Sequence, residues 1–257
     1  MSNKITHNII VFLIILIFCS CASKKDIHYF QNSETVTLST IKYENPNIQV
    51  NDIFNINVSA LIPETALPYN NNPSLNVVTS DIEVKKLEGY LVSSNGDITF
   101  PILGKINVLN KTTTDLEIVF KKLLEDGGHI INPVINIRIL NSKVTILGEV
   151  NTPGTYSFTG QNISLPQALG YAGDLTINGI RNDILLIREE DGNRIVTHLD
   201  LTKADWFNSP YYFLKQNDVI VVNQNKSKVK SAGFIGTSGA ILSIASIVLS
   251  TIILITR

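Results

Sequence analysis

Near the C-terminal end, Ala232 to Thr256 run for twenty-five residues without one charged side chain. At about 1.5 Å of rise per residue this stretch makes roughly 37 Å of helix, enough to cross the ~30 Å hydrocarbon layer of a bilayer with some tilt. The pattern predicts a transmembrane helix over residues 231–256, with Lys226, Lys228 and Lys230 before it and Arg257 after it. Within it Gly236, Gly239, Ser243, Ser246 and Ser250 recur at alternating spacings of three and four, a stripe of small residues beside an apolar face of Ile235, Leu242, Leu249 and Ile253. Such a stripe lets neighbouring helices approach closely or turns hydroxyls toward water. Two readings stay open: helix contact or pore lining at these five residues, or a lone anchor in which they are incidental.

The chain has 257 residues and a formal charge of -1, which leaves room for one or two domains. Its acidic and basic residues are interspersed, and no basic cluster is interleaved with aromatic residues, so the sequence names no nucleic-acid partner. Cys19 and Cys21 are the only cysteines, which excludes a disulfide framework or thiolate metal site in the body. Before them, Ile9 to Phe18 forms a ten-residue apolar run that follows Lys4 and His7, the shape of a secretory signal rather than of a membrane span. The sequence Phe18-Cys19-Ser20-Cys21-Ala22 resembles the lipobox of bacterial lipoproteins, which makes residues 1–20 a signal peptide and Cys21 the lipidation site. The expected attachment is a covalent N-terminal lipid, with no other cofactor. Residues 21–46 read as a lipidated tether containing Tyr29, Phe30 and a strand-like patch at Thr35 to Leu38. Two attachments on one chain make stable anchoring to membrane lipid the expectation.

The body alternates strand and helix signals. A turn at Asn51-Asp52 leads into Ile53 to Val58, where Phe54, Ile56 and Val58 alternate with asparagines. Pro63 to Ser74, rich in proline and asparagine, reads as an exposed loop. Asn95-Gly96 between Gly89–Val92 and Asp97–Phe100 predicts a hairpin, closed by Pro101 and Gly104 before a further short strand. Thr114 and Glu117 suit a capping box for a helix with Leu116, Val119, Phe120, Leu123 and Leu124 on one face, ending at Gly127-Gly128; Val134 to Leu140 follows as a strand. A second unit starts at Val144 and turns at Pro153-Gly154, a pair suited to a type II turn. It carries a helix capped by Ser164 and Gln167, and strands at Ile184–Ile187, Ile195–Leu201 and Asp218–Val222. Asn217-Asp218-Val219-Ile220 echoes Asn51-Asp52-Ile53-Phe54.

Three stretches, Val50–Val58, Gly89–Gly104 and Pro133–Ile137, resemble the polysaccharide biosynthesis/export domain. Gly148–Tyr156, Ala168–Gly173 and Tyr212–Ile220 resemble the soluble-ligand-binding β-grasp (SLBB) domain that follows it in Wza-like outer-membrane polysaccharide export lipoproteins. The resemblance implies an export domain over residues 47–141, a β-grasp domain over 142–226, and an α+β fold class of two small periplasmic α+β domains plus a C-terminal transmembrane helix. It further implies a ring-shaped homo-oligomer, an octamer by that likeness, whose terminal helices form a barrel through the outer membrane. Its expected partners are an inner-membrane polysaccharide co-polymerase and the polysaccharide, with no nucleic acid. The alternative is a membrane-anchored periplasmic glycan-binding or scaffold lipoprotein without a pore.

Catalytic chemistry finds no support in the residues. His7, His28, His129 and His198 are scattered, and no nucleophile elbow, P-loop or dinucleotide fingerprint occurs. Asp81, Glu83 and Glu88 read as solvated acids rather than a glycosidase pair. Trp206, Tyr211 and Tyr212 are candidates for glycan contact, weighed against core or subunit packing. Arg138, Arg181 and Arg188 could attract an acidic polymer, but surface ion pairs are the better reading.

Overall fold

The computed structural model describes residues 27–35, 43, 45–70, 82–190, 192–231 and 238–256. Two apolar cores organise it, one drawn from Ile48 to Ile137 and the other from Val144 to Val222.

The first core is built on β1 (Ile53–Ser59), whose alternation places Phe54, Ile56 and Val58 inside. After β1 the chain forms a short helix, α1 (Pro63–Ala66), and a 3-10 turn, Leu67–Tyr69. The stretch read as an exposed loop is thus helical where it is described, and it is mostly exposed as expected, with Ala66 and Tyr69 as its buried anchors. Asn70 holds it in place: its amide accepts from the Val58 N–H and donates to the Val58 carbonyl, both at 2.8 Å. Residues 71–80, including the rest of the expected loop, lie outside the described residues.

Next come α2 (Ile82–Glu88), β2 (Tyr90–Leu91), β3 (Asp97–Phe100) and β4 (Gly104–Asn107). The expected hairpin across Asn95-Gly96 is corrected. Gly96 does take a positive φ of 78°, but β2 pairs with β1, and β3 pairs with β4 around Pro101–Leu103. The turn hands the chain from one sheet to another instead of folding it on itself. Helix α3 (Thr113–Asp126) buries Leu116, Phe120 and Leu124, and the Phe120 ring meets Phe100 edge-on at 4.8 Å. Its capping box is formed by Thr112 and Asp115, two residues before the expected pair, because Glu117 is engaged with the amide of Ile137. That amide belongs to β5 (Val134–Ile139), which completes an antiparallel sheet of order β2-β1-β5.

The second unit contains β6 (Lys143–Gly148), β7 (Gly154–Ser157), β8 (Ile163–Ser164), α4 (Leu165–Tyr171), β9 (Gly179–Glu190), β10 (Asn193–Leu199), β11 (Phe213–Leu214) and β12 (Val219–Gln224). Its five-stranded sheet has the order β10-β9-β12-β6-β7, with β12 and β6 parallel and the other pairs antiparallel. Helix α4 starts with the expected Ser164–Gln167 capping box. The expected type II turn at Pro153-Gly154 does not form: Gly154 already lies in β7 without a positive φ. The reversal is spread over a longer loop because the amides of Asn151 and Thr152 bond to carbonyls of Asp174 and Ala172 past the end of α4. After β12 come α5 (Lys226–Ser231) and α6 (Ser238–Thr256).

Gly148 is where the sheet tolerates nothing larger. Its φ is +89°, and a Cβ there would stand 2.0 Å from the Val222 carbonyl oxygen. Gly148→Ala should destabilise the second unit by on the order of 3 kcal/mol in urea unfolding. Gly128→Ala, at φ +69° with nothing within 4 Å, should cost only about 1 kcal/mol.

Candidate functional site

Residues 27–35 of the N-terminal segment dock on the second unit. Backbone amides of Phe30 and Gln31 donate to the carbonyls of Leu201 and Thr202, and the Asn32 side chain bridges the Ala204 amide and the Asp205 carboxylate. The Tyr29 hydroxyl donates to Asp174 at 2.6 Å, and its ring lies 5.2 Å from the Arg181 guanidinium carbon. Burial, with this bond to a carboxylate, pushes the Tyr29 phenol far above its usual range. The tether reading is corrected here, since Tyr29 and Phe30 are packed side chains and Thr35 closes a 3-10 turn, Ser33–Thr35. Between strap and unit lies a cavity of about 190 Å³, lined by Tyr29, Phe30, Leu169, Asp174, Leu201 and Trp206.

Of the three aromatics singled out in the sequence, Trp206 is only 6% exposed. Its ring is packed by Phe30, Phe207 and Tyr212, and its indole N–H donates to the Lys203 carbonyl. It presents no free face for stacking on a sugar. Tyr211 and Tyr212 are half-buried, Tyr211 near the Arg188 guanidinium and Tyr212 stacked on Trp206.

The arginines read as surface charges are corrected in two cases of three. Arg188 is 3% exposed and makes a two-pronged ion pair with Asp218, at 3.0 and 2.7 Å, while also donating to the Pro210 and Phe213 carbonyls. Burial pushes the Asp218 carboxyl up, and Arg188 opposes that shift. Arg181 is buried too, its guanidinium donating to the carbonyls of Leu175, Thr176 and Gly179. Arg138 is exposed on β5. The missed signal was periodicity: Ile184, Leu186 and Arg188 fall on one face of β9, so Arg188 inherits a core position.

The two Asn-Asp turns that echo each other are the same local structure. Asn51 and Asn217 take φ of 70° and 66°, and Asp52 and Asp218 each accept from the amide three residues earlier, at 2.7 and 2.8 Å. They also meet. Gln216 donates to both oxygens of Asp52 at 2.7 Å, and the Asn217 amide lies 3.4 Å from the Gln49 oxygen.

Gly239, Ser243, Ser246 and Ser250 fall within one narrow face of α6, while Cys21 and Gly236 lie outside the described residues. Each serine hydroxyl donates to a carbonyl one turn back, Ser243 to Gly239, Ser246 to Leu242 and Ser250 to Ser246, at 2.8–3.0 Å. No donor is left unmet, and the seam offers only lone pairs outward. Around it Leu242, Ile247 and Leu254 are more than three-fifths exposed, and Gly239 has open space where a Cβ would stand. Helix α6 has 19 residues, roughly 28 Å, against the 37 Å expected for the whole apolar run. Among the described residues no helix is long and apolar enough to cross a membrane, so the expected span is not present as a single described helix. The same residues hold no cluster of three metal-ligating side chains.

Residues 42–140 match the family model described as polysaccharide biosynthesis/export protein, and residues 143–197 match that of the SLBB domain. The chain is 29% identical over 152 residues to the EPS I polysaccharide export outer membrane protein EpsA of Ralstonia nicotianae (strain ATCC BAA-1114 / GMI1000), a match that covers 57% of this chain and 39% of that protein. The protein of the same name from Ralstonia solanacearum is 30% identical over 92 residues, covering 35% of this chain and 24% of its own length. The chain thus spans well under half the length of the curated relatives it matches.

Removing one member of the buried charge pair tests its weight. Arg188→Met should cost about 3–5 kcal/mol in equilibrium unfolding because it strands the Asp218 carboxylate, and adding Asp218→Asn should recover part of that loss.

Proposed function

This chain belongs to the Wza-like polysaccharide export family, and we propose that it is a subunit of an outer-membrane channel for capsular or extracellular polysaccharide. The observation that carries the reading is the terminal helix: a small-residue face with self-satisfied hydroxyls, flanked by exposed leucine and isoleucine that need lipid or another helix for cover. Copies of α6 set side by side place the small seam toward a wet interior and the branched residues toward lipid. The 19 residues of α6, roughly 28 Å, do not make the span by themselves, and a full crossing needs the uncharged run before it, from Ala232 to Thr237, for the remaining length. A seam with no charges and no free donors gives a polymer rich in hydroxyls few places to bind.

Both proposed attachments leave from the second unit. Cys21, carrying the lipid, is eight residues before the docked Tyr29, at most ~28 Å of extended chain. Helix α6 follows β12 through α5. The second unit therefore lies nearest the outer membrane, and the export unit faces an inner-membrane co-polymerase across the periplasm. No step of this function makes or breaks a bond in the substrate. Tyr211 and Tyr212, both half-buried, are the more accessible of the three aromatics proposed for glycan contact, and Trp206 lines the cavity beside Tyr29 and Phe30.

The pore-free scaffold is the second reading, favoured by the shortness of α6. Cysteines at Ser243 and Ser250 in the full-length protein should cross-link between copies in the membrane. Gly239→Leu with Ser243→Leu should abolish both the ring seen by electron microscopy and polymer export, while the protein stays membrane-bound. A monomer in detergent, or export unchanged by the double substitution, would leave the scaffold reading standing.

A further inference from the structure

Asp52 and Asp218 sit in matching turns, at 2% and 1% exposure, yet only one of them is electrically matched. Asp218 faces the guanidinium of Arg188. Among the described residues Asp52 faces no cation. Its oxygens receive the Gln49 amide and Gln216 Nε2, and Gln216 is itself buried beside Ser142. The other groups around the turn are neutral: Asn51, Asn141, whose side chain bonds the Ile53 amide and the Asn51 carbonyl, the Val92 backbone on the β2 side, and Asn217. The charged residues nearest in sequence on the facing turn are committed elsewhere, Lys215 to Glu190 and Asp218 to Arg188.

This carboxyl also lies at the junction of the two units. Their apolar cores are separate clusters, and the contact between Asp52 and Gln216 is made by turns rather than by packed strands or helices. Small polar contacts of this kind leave relative motion of domains as the default.

We infer that the Asp52–Gln216 contact is an acid-tightened latch: protonated, the carboxyl and the amide close as a reciprocal pair that fixes the two units, and ionised, it leaves in the junction a buried anion without a countercharge, which loosens them. The protonated acid can donate to Gln216 Oε1 while accepting from Nε2, two complementary bonds after a small rotation of the amide. The ionised form can only accept. Burial pushes the Asp52 carboxyl up to about 6, against the opposing bonds from Gln49 and Gln216. Opening the junction removes the part of that burial the second unit supplies and moves the group back toward its ordinary value near 3.8. The closed state therefore binds the proton more tightly. Its advantage is fully present below about pH 4 and is lost as pH rises through about 6, by at most ~100-fold in the closing equilibrium. The latch does not depend on the pore, since it concerns two units of one chain.

The test uses the full-length protein in detergent, with spin labels on non-cysteine unnatural residues at the exposed positions Lys122 and Thr159, one in each unit. The inter-label distance distribution should be narrow at pH 5 and broaden by pH 7.5 with a midpoint near 6. Asp52→Asn, which keeps an acceptor for Gln216 without the charge, should stay narrow at both. Gln216→Glu, which sets two carboxyls to share a proton, should move the midpoint upward. A wild-type distribution indifferent to pH, or an Asp52→Asn protein that broadens as the wild type does, overturns the latch.

Discussion

One buried charge pair ties the sheet of the second unit to the segment that leads into β11. Arg188, from the interior face of β9, reaches the carboxylate that opens β12 and the carbonyls of the segment leading into β11. That segment includes Tyr211, Tyr212 and Phe213, while the neighbouring Trp206 and Phe207 seat the N-terminal strap. A sheet, an aromatic layer and the docked residues 27–35 therefore connect to a single electrostatic anchor. Burying such a pair has a high desolvation cost, offset here because nearly every guanidinium N–H and both carboxylate oxygens find partners.

Much of this could be read from the residues alone. The alternation in β1 and β5, the Ser164 cap and the two-unit order of strands and helices all follow from local rules that tertiary packing did not override. The errors have a common physical source. Asn95-Gly96 makes the turn its chemistry favours, but the choice of strand partner is set by long-range pairing with β1, which dipeptide chemistry does not encode. Arg188 was misjudged because its charge outweighed its position in the alternating register. The echo of Asn51-Asp52 in Asn217-Asp218 was visible as letters. That the two turns would touch, and that one aspartate would lack a cation, depends on how the units are set against each other.

At the C-terminal end α6 shows how small polar residues can face an apolar environment at little cost. A serine whose proton is already given to the preceding turn has nothing left to desolvate on the donor side, so it behaves as a slightly larger alanine with exposed lone pairs. Whether such a face meets a second helix or water, the energetic difference is small. A surface of that kind suits an element whose surroundings change as copies assemble.

Asn70 carries a different consequence. Its amide group supplies one donor and one acceptor to Val58 in the geometry a neighbouring strand would use, on the stretch of β1 that β2 is too short to cover. A bare rung there would invite the matching strand of another molecule, and chains zipped edge to edge in that way grow without limit. With the rung filled from within, this edge offers no template for a foreign strand, and that route to runaway fibre formation is closed.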